Sequence, residues 1–181
     1  RKAVDSNATF YDNLPVPETD RIGEEGKGFY YLIDGINPER ILVAAEAVGL
    51  GRAALRKAVE YAKERVVFDR PIGQNQAIQH PLAAAWAHLE AADAVVWKAA
   101  ALYDAGKPCG AEANAAKYLA AEACFTACET AVMTHGGMGY AKEFHVERYM
   151  REAFIARIAP VSREMILNFI GQHVLDMPRS Y

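Results

Sequence analysis

Two short segments hold residue types whose spacing could do chemistry. The first is Arg65-Val66-Val67-Phe68-Asp69-Arg70-Pro71-Ile72-Gly73-Gln74-Asn75-Gln76, which sets a guanidinium, an aromatic ring and several amides around a Pro-Ile-Gly turn. The second is His135-Gly136-Gly137-Met138-Gly139-Tyr140, a Gly-Gly-x-Gly loop. A glycine loop after a helix has two readings. It stops the helix, or it lets backbone approach a phosphate-bearing cofactor where any side chain would clash. The other histidines, His80, His88, His145 and His173, share no metal-ligand spacing. Cys124 and Cys128 lie four apart in an Ala-rich run, so they share one helix face as small core residues. Together with Cys109 they form no disulfide framework and no zinc spacing. Such cysteine usage fits a reducing cytosol.

The elements that must position these segments read as long helices. Asn37 suits an N-cap, Pro38 a first helical position and Glu39 the acidic-favoured first turn. Ile41, Leu42, Ala45, Val48, Leu55, Val59 and Ala62 then recur at helical spacing. This predicts a helix over 37–67, about 45 Å long. A second helix is expected over 75–104, with Ile78, Leu82, Ala85, Leu89, Ala92, Val96 and Ala99 on one face. A third covers 111–133, with Tyr118, Leu119 and Phe125, and shorter ones cover 146–153 and 161–174. Long helices with short connections predict a mainly α chain, an antiparallel four-helix bundle. Residues 1–36 differ. Phe10 and Tyr11 beside Pro15-Val16-Pro17 read as a short strand, and Gly23-Glu24-Glu25-Gly26-Lys27-Gly28 reads as a turn. So few strands cannot form a sheet core. This stretch is expected to be a remnant of a β domain, with 37–181 as the bundle.

Composition narrows the function. The 181 residues carry 20 Lys+Arg against 23 Asp+Glu, a net charge of −3, and 52% are hydrophobic. Such a chain buries a core and lacks the clustered positive charge that nucleic-acid binding needs. No apolar run is long enough to span a membrane.

In this order and spacing, the two segments resemble the acyl-CoA dehydrogenase family, and the resemblance covers essentially the whole chain. Pro15-Val16-Pro17 and Gly23 to Phe29 look like the exit from that family's middle β domain, and Arg151-Glu152-Ala153 like its Arg-Asp-Ala run. The resemblance implies a flavoprotein of three domains, of which this chain matches the C-terminal four-helix bundle and the end of the β domain. It implies FAD as cofactor. Arg65 would contact the diphosphate of a neighbouring subunit, a task suited to a permanently charged planar fork. Phe68 and Gln76 would contact the cofactor, Ile72 would pack on its adenine side, and Gly136 and Gly137 would approach the dinucleotide. Ser162 stands where the family commonly has threonine. Asp69 replaces a usual glycine, and Met133 a usual glutamine. A flavin shared between subunits implies dimers or dimers of dimers.

The family removes a proton from the α carbon of an acyl-CoA thioester while a hydride leaves the β carbon for the flavin. In most members the base is a glutamate at the position of Pro160, in Ile158-Ala159-Pro160-Val161-Ser162. Proline accepts no proton and has no N–H for the thioester oxygen. It is, however, a good first residue for the last helix. In a minority of the family the base lies on the first long bundle helix, and that position matches Glu39, with Arg40 orienting it. A first-turn glutamate is also favoured by the helix dipole with no function at all. Glu129, Glu152 and Glu164 read as helical and structural.

The leading expectation is the C-terminal part of an FAD-dependent acyl-CoA dehydrogenase. Its substrate would be an acyl-CoA and its electron acceptor a partner such as an electron-transfer flavoprotein. It would be cytoplasmic, or mitochondrial in a eukaryote, and the fragment alone is expected to be inactive. The alternatives are a non-catalytic bundle that keeps only fold and assembly, and an acyl-CoA oxidase-type flavoprotein.

Overall fold

In the computed structural model, residues 7–180 are described. They fall into two compact units divided between Ile33 and Asp34. The first holds a 3-10 turn, Glu18–Asp20, and a glycine turn. There Gly23 has φ +72°, and a Cβ would meet the Tyr31 ring at 2.2 Å. The Tyr31 hydroxyl accepts from the Glu24 N–H at 3.1 Å. Residues 7–36 contain no strand. The expected strand over Phe10 and Tyr11 is therefore absent, because a lone extended segment has no partner edge to pair with.

The second unit is a bundle, whose first helix begins within the first unit. Helix α1 spans Gly28–Glu64, α2 Gln76–Asp104, α3 Gly110–His135, α4 Val146–Ile158 and α5 Arg163–Phe169. A one-turn π-helix, Ile170–Val174, follows α5. Strands β1, Val66–Val67, and β2, Arg70–Pro71, form an antiparallel hairpin between α1 and α2. Ion pairs tie neighbouring helices together. Arg52 reaches Glu90 at 2.7 Å and Asp93 at 2.9 Å from α1 to α2. Lys98 meets Glu112 between α2 and α3. Arg157 meets Glu122 at 2.5 Å between α4 and α3. The bundle is antiparallel, as the sequence predicts. No helix among the described residues is long and apolar enough to cross a membrane.

The start of α1 differs from expectation. The helix begins at Gly28, so Asn37 does not cap it and Pro38 lies inside it. An interior proline removes one backbone hydrogen bond and disturbs one turn; here the helix continues through it. The Asn37 side chain instead accepts from Arg40 at 2.9 Å. Leu42 (69% exposed) and Ala45 face outward, and the buried α1 stripe is Ile41, Ala44, Ala47, Val48, Gly51, Ala54, Leu55, Ala58 and Ala62. On α2 the buried face is Leu82, Ala85, Leu89, Ala92, Val96 and Ala99, as expected. On α3 alanines form the core, with Cys124 and Cys128 fully buried among them. Small residues let the helices close in. A Cβ at Gly51 would lie 2.7 Å from a Leu89 methyl and 3.2 Å from the Cys124 Cα.

Candidate functional site

The two chemistry-bearing segments emerge from the same end of the bundle. Tyr61, in the last turn of α1, stacks on His135, the last residue of α3, with centroids 4.3 Å apart. Phe144 meets both rings edge-on. The His135 Nδ1 lies 2.7 Å from the Ala131 carbonyl, so this nitrogen carries the proton and donates. Burial pushes the imidazole pKa below its ordinary value.

Just past Tyr61, the β1–β2 hairpin turns on two residues, Phe68 (φ +53°) and Asp69 (φ +61°). Two consecutive left-handed residues are the signature of a tight type I′ turn. Asp tolerates that conformation, which explains how it stands where glycine is usual. An aromatic residue there is strained, and the Phe68 ring is 93% exposed. Arg65 and Gln76 are exposed beside this hairpin. Ile72 packs on the core instead, and Gly73 is needed because a Cβ would meet the Ala62 carbonyl at 2.8 Å.

The glycine loop forms a 3-10 turn, Gly136–Tyr140. Its glycines serve different ends. A Cβ at Gly139 would lie 2.3 Å from the Val132 carbonyl, so this glycine is fixed by packing. Gly136 has φ +58°. Gly137 has neither a positive φ nor any atom within 4 Å of a would-be Cβ, so the fold does not require glycine there. Met133 is exposed beside the loop.

Glu39 lies far away, at the other end of α1. The 22 residues from Glu39 to Tyr61 span about 33 Å of helix. It is about three turns inside α1 and not in a first turn. Glu39 and Pro160 line one cavity of about 100 Å³, with Val43, Ala47 and Ile155 as apolar wall. Glu46 and Glu152 line it too, so Glu152, expected to be purely structural, is a cavity residue. Arg40 is half-buried, and burial lowers its pKa against the opposing pull of Glu39. Its Nε is buried without a hydrogen-bond partner. Pro160 is not in the last helix. Ser162 is the N-cap of α5, accepting from the Met165 N–H at 3.4 Å, and Pro160 belongs to the turn before it.

Sequence reasoning did not single out Lys117. It is 1% exposed in α3, and its Nζ donates to the Val161 carbonyl at 2.7 Å. The signal was its place on the Ala113–Ala121–Cys124 face, where Asn114 is the other buried polar residue nearby. No cluster of three metal-ligating side chains occurs among the described residues.

Residues 26–175 match the family model for the acyl-CoA dehydrogenase C-terminal domain. The chain belongs to the acyl-CoA dehydrogenase family. It is 48% identical over 174 residues to acyl-CoA dehydrogenase FadE12 of Mycobacterium tuberculosis, covering 95% of this chain and 45% of that protein. The butyryl-CoA dehydrogenase structure from Megasphaera elsdenii superposes with TM-score 0.86 at 40% identity, covering 88% of this chain and 42% of that one. A chain in a structure of the electron transferring flavoprotein of Acidaminococcus fermentans superposes with TM-score 0.89 at 35% identity, covering 91% and 43%. The chain thus spans under half the length of each of these relatives. The fold brings Arg65, Phe68, Gln76, Gly136 and Gly137 to one end of the bundle, and Glu39, Arg40 and Ser162 to the other.

Proposed function

We propose that the chain is the C-terminal part of an FAD-dependent acyl-CoA dehydrogenase that converts an acyl-CoA to the enoyl-CoA, with Glu39 as base. The bundle of that enzyme begins with α1 at Gly28, nine residues before the expected boundary at 37, and the stretch before it would be the tail of its β domain. The observation that carries the reading is the Glu39–Pro160 cavity. A carboxylate stands where the usual base position, now proline, meets the first long helix.

The residues present fit the cofactor. A strained aromatic held out into solvent, an exposed arginine beside it and a glycine that packing does not require are what a dinucleotide edge would use. Arg65, Phe68, Gln76, Gly136 and Gly137 would hold FAD, with Ile72 packing beneath them. When bound, it supplies the hydride acceptor. The distance of this cluster from Glu39 supports a flavin shared between subunits, so that a homodimer or a dimer of dimers completes each site. Ser162 would contact the flavin at the Glu39 end.

Glu39 takes the α proton, and the adjacent Arg40 charge, braced on Asn37, orients the carboxylate. Pro160 offers no N–H to the thioester oxygen, so enolate charge must be met by other donors. Similarity to the Acidaminococcus chain supports an electron-transferring flavoprotein as the acceptor. The proline itself favours a second reading, a non-catalytic bundle. Purifying the full-length protein decides between them. The enzyme reading expects yellow protein bleached by acyl-CoA without oxygen; a colourless full-length protein supports the bundle.

A further inference from the structure

The turn that carries Pro160 is held from behind by a side chain the chemistry above does not use. We propose that Lys117 is a positioning residue for the Glu39 cavity: by bonding the Val161 carbonyl it fixes the turn that sets Pro160 against Glu39. This rests on the Glu39 reading and deepens it.

Three observations carry it. Lys117 crosses from α3 to reach a backbone carbonyl in the α4–α5 turn, one residue beyond Pro160. That bond is made in a site only 1% exposed, where an ammonium is costly to desolvate. Apart from Asn114, the buried α3 residues around Lys117 are alanine and cysteine, so the ammonium has few polar neighbours on its own helix to offset its burial.

The polar setting joins this anchor to the cavity. Arg40, next to Glu39 on α1, is close enough to repel Lys117, while Glu122 on α3 and Glu164 on α5 attract it. Burial is the largest influence and brings the amine down to about 8. Asn114, one turn earlier on α3 and 1% exposed, spends its amide on the Gly110 carbonyl at 2.8 Å and leaves its Oδ1 unpaired. The Ala159 N–H bonds back to the Ile155 carbonyl at 2.9 Å and Ser162 caps α5, so Lys117 is what ties the middle of this turn to α3.

The test is Lys117→Met in the full-length protein, a swap of similar length that deletes the donor. Three readings are taken: thermal stability, hydrogen exchange of peptides covering 159–166, and flavin reduction by acyl-CoA. Stability should be unchanged or higher. Exchange across the turn should speed up at least about tenfold, reporting the opening of a local segment. Flavin reduction should slow by about 10–100-fold with little change in acyl-CoA KM, since small misplacements at a reacting centre carry that penalty. Unchanged exchange, or faster exchange with an unchanged rate, overturns the proposal. A variant that fails to fold also overturns it, making Lys117 a structural residue. Wild-type protein that no acyl-CoA reduces would instead sink the Glu39 reading, while the exchange result would still report on the anchor.

Discussion

Glu39, on the first long helix, and Pro160, in the turn before the last, share one small cavity. Position 160 can neither take a proton nor donate an N–H, and three carboxylates line the same space: Glu39 and Glu46 from α1 and Glu152 from α4. On the proposed reading, Glu39 supplies from α1 the base that the turn lacks.

The glycine loop separates packing from ligand approach. Gly139→Ala drives a Cβ into the Val132 carbonyl and should cost about 1–3 kcal/mol of stability. Gly137→Ala meets nothing and should leave stability within about 0.5 kcal/mol. If Gly137 lies against the dinucleotide, the full-length Gly137→Ala protein should nonetheless lose flavin on dialysis. Retained flavin at wild-type occupancy would show that the backbone there approaches no ligand.

The hairpin offers a second separation. Phe68 is strained and exposed, so Phe68→Gly should leave the fold unharmed or stabilise it by up to about 1 kcal/mol. The same change should weaken flavin retention, measured as the flavin-to-protein absorbance ratio after gel filtration. A ratio equal to wild type would reduce Phe68 to a turn residue.

His135 predicts a pH dependence. Burial lowers its native pKa below the ordinary value of 6.5, so below that pH the unfolded chain binds the extra proton first. Stability therefore rises with pH across that window and falls on acidification. The His135→Gln variant should show a shallower loss of melting temperature between about pH 6.5 and 5 than wild type. Parallel melting curves across that range would refute the assignment.

The bundle was largely legible because helical spacing of apolar residues is read directly: the α2 face, from Leu82 to Ala99, is the one predicted. The start of α1 was not. Asn37-Pro38-Glu39 has every feature of a helix start, yet the preceding turns tolerate the proline, and caps are local preferences that a continuing helix overrides. Leu42 was misread for a related reason, since hydrophobicity alone does not choose between two adjacent faces of a long helix. Lys117 was invisible because lysine is rarely buried, and its partner is a backbone carbonyl whose position no side-chain pattern reveals. The positive φ of Phe68 was hidden for the same reason, with only Asp69 hinting at it.

The central claim is tested most directly by anaerobic stopped-flow reduction of the full-length protein's flavin by acyl-CoA, comparing wild type with Glu39→Gln. Glu46→Gln and Glu152→Gln, the other carboxylates on the cavity wall, serve as controls. Glutamine keeps the shape and loses the proton acceptor, so reduction should slow by about 10²–10⁴-fold at nearly unchanged acyl-CoA affinity, while each control stays within about tenfold of wild type. Reduction by Glu39→Gln at the wild-type rate, or a larger loss in either control, would contradict Glu39 as the base.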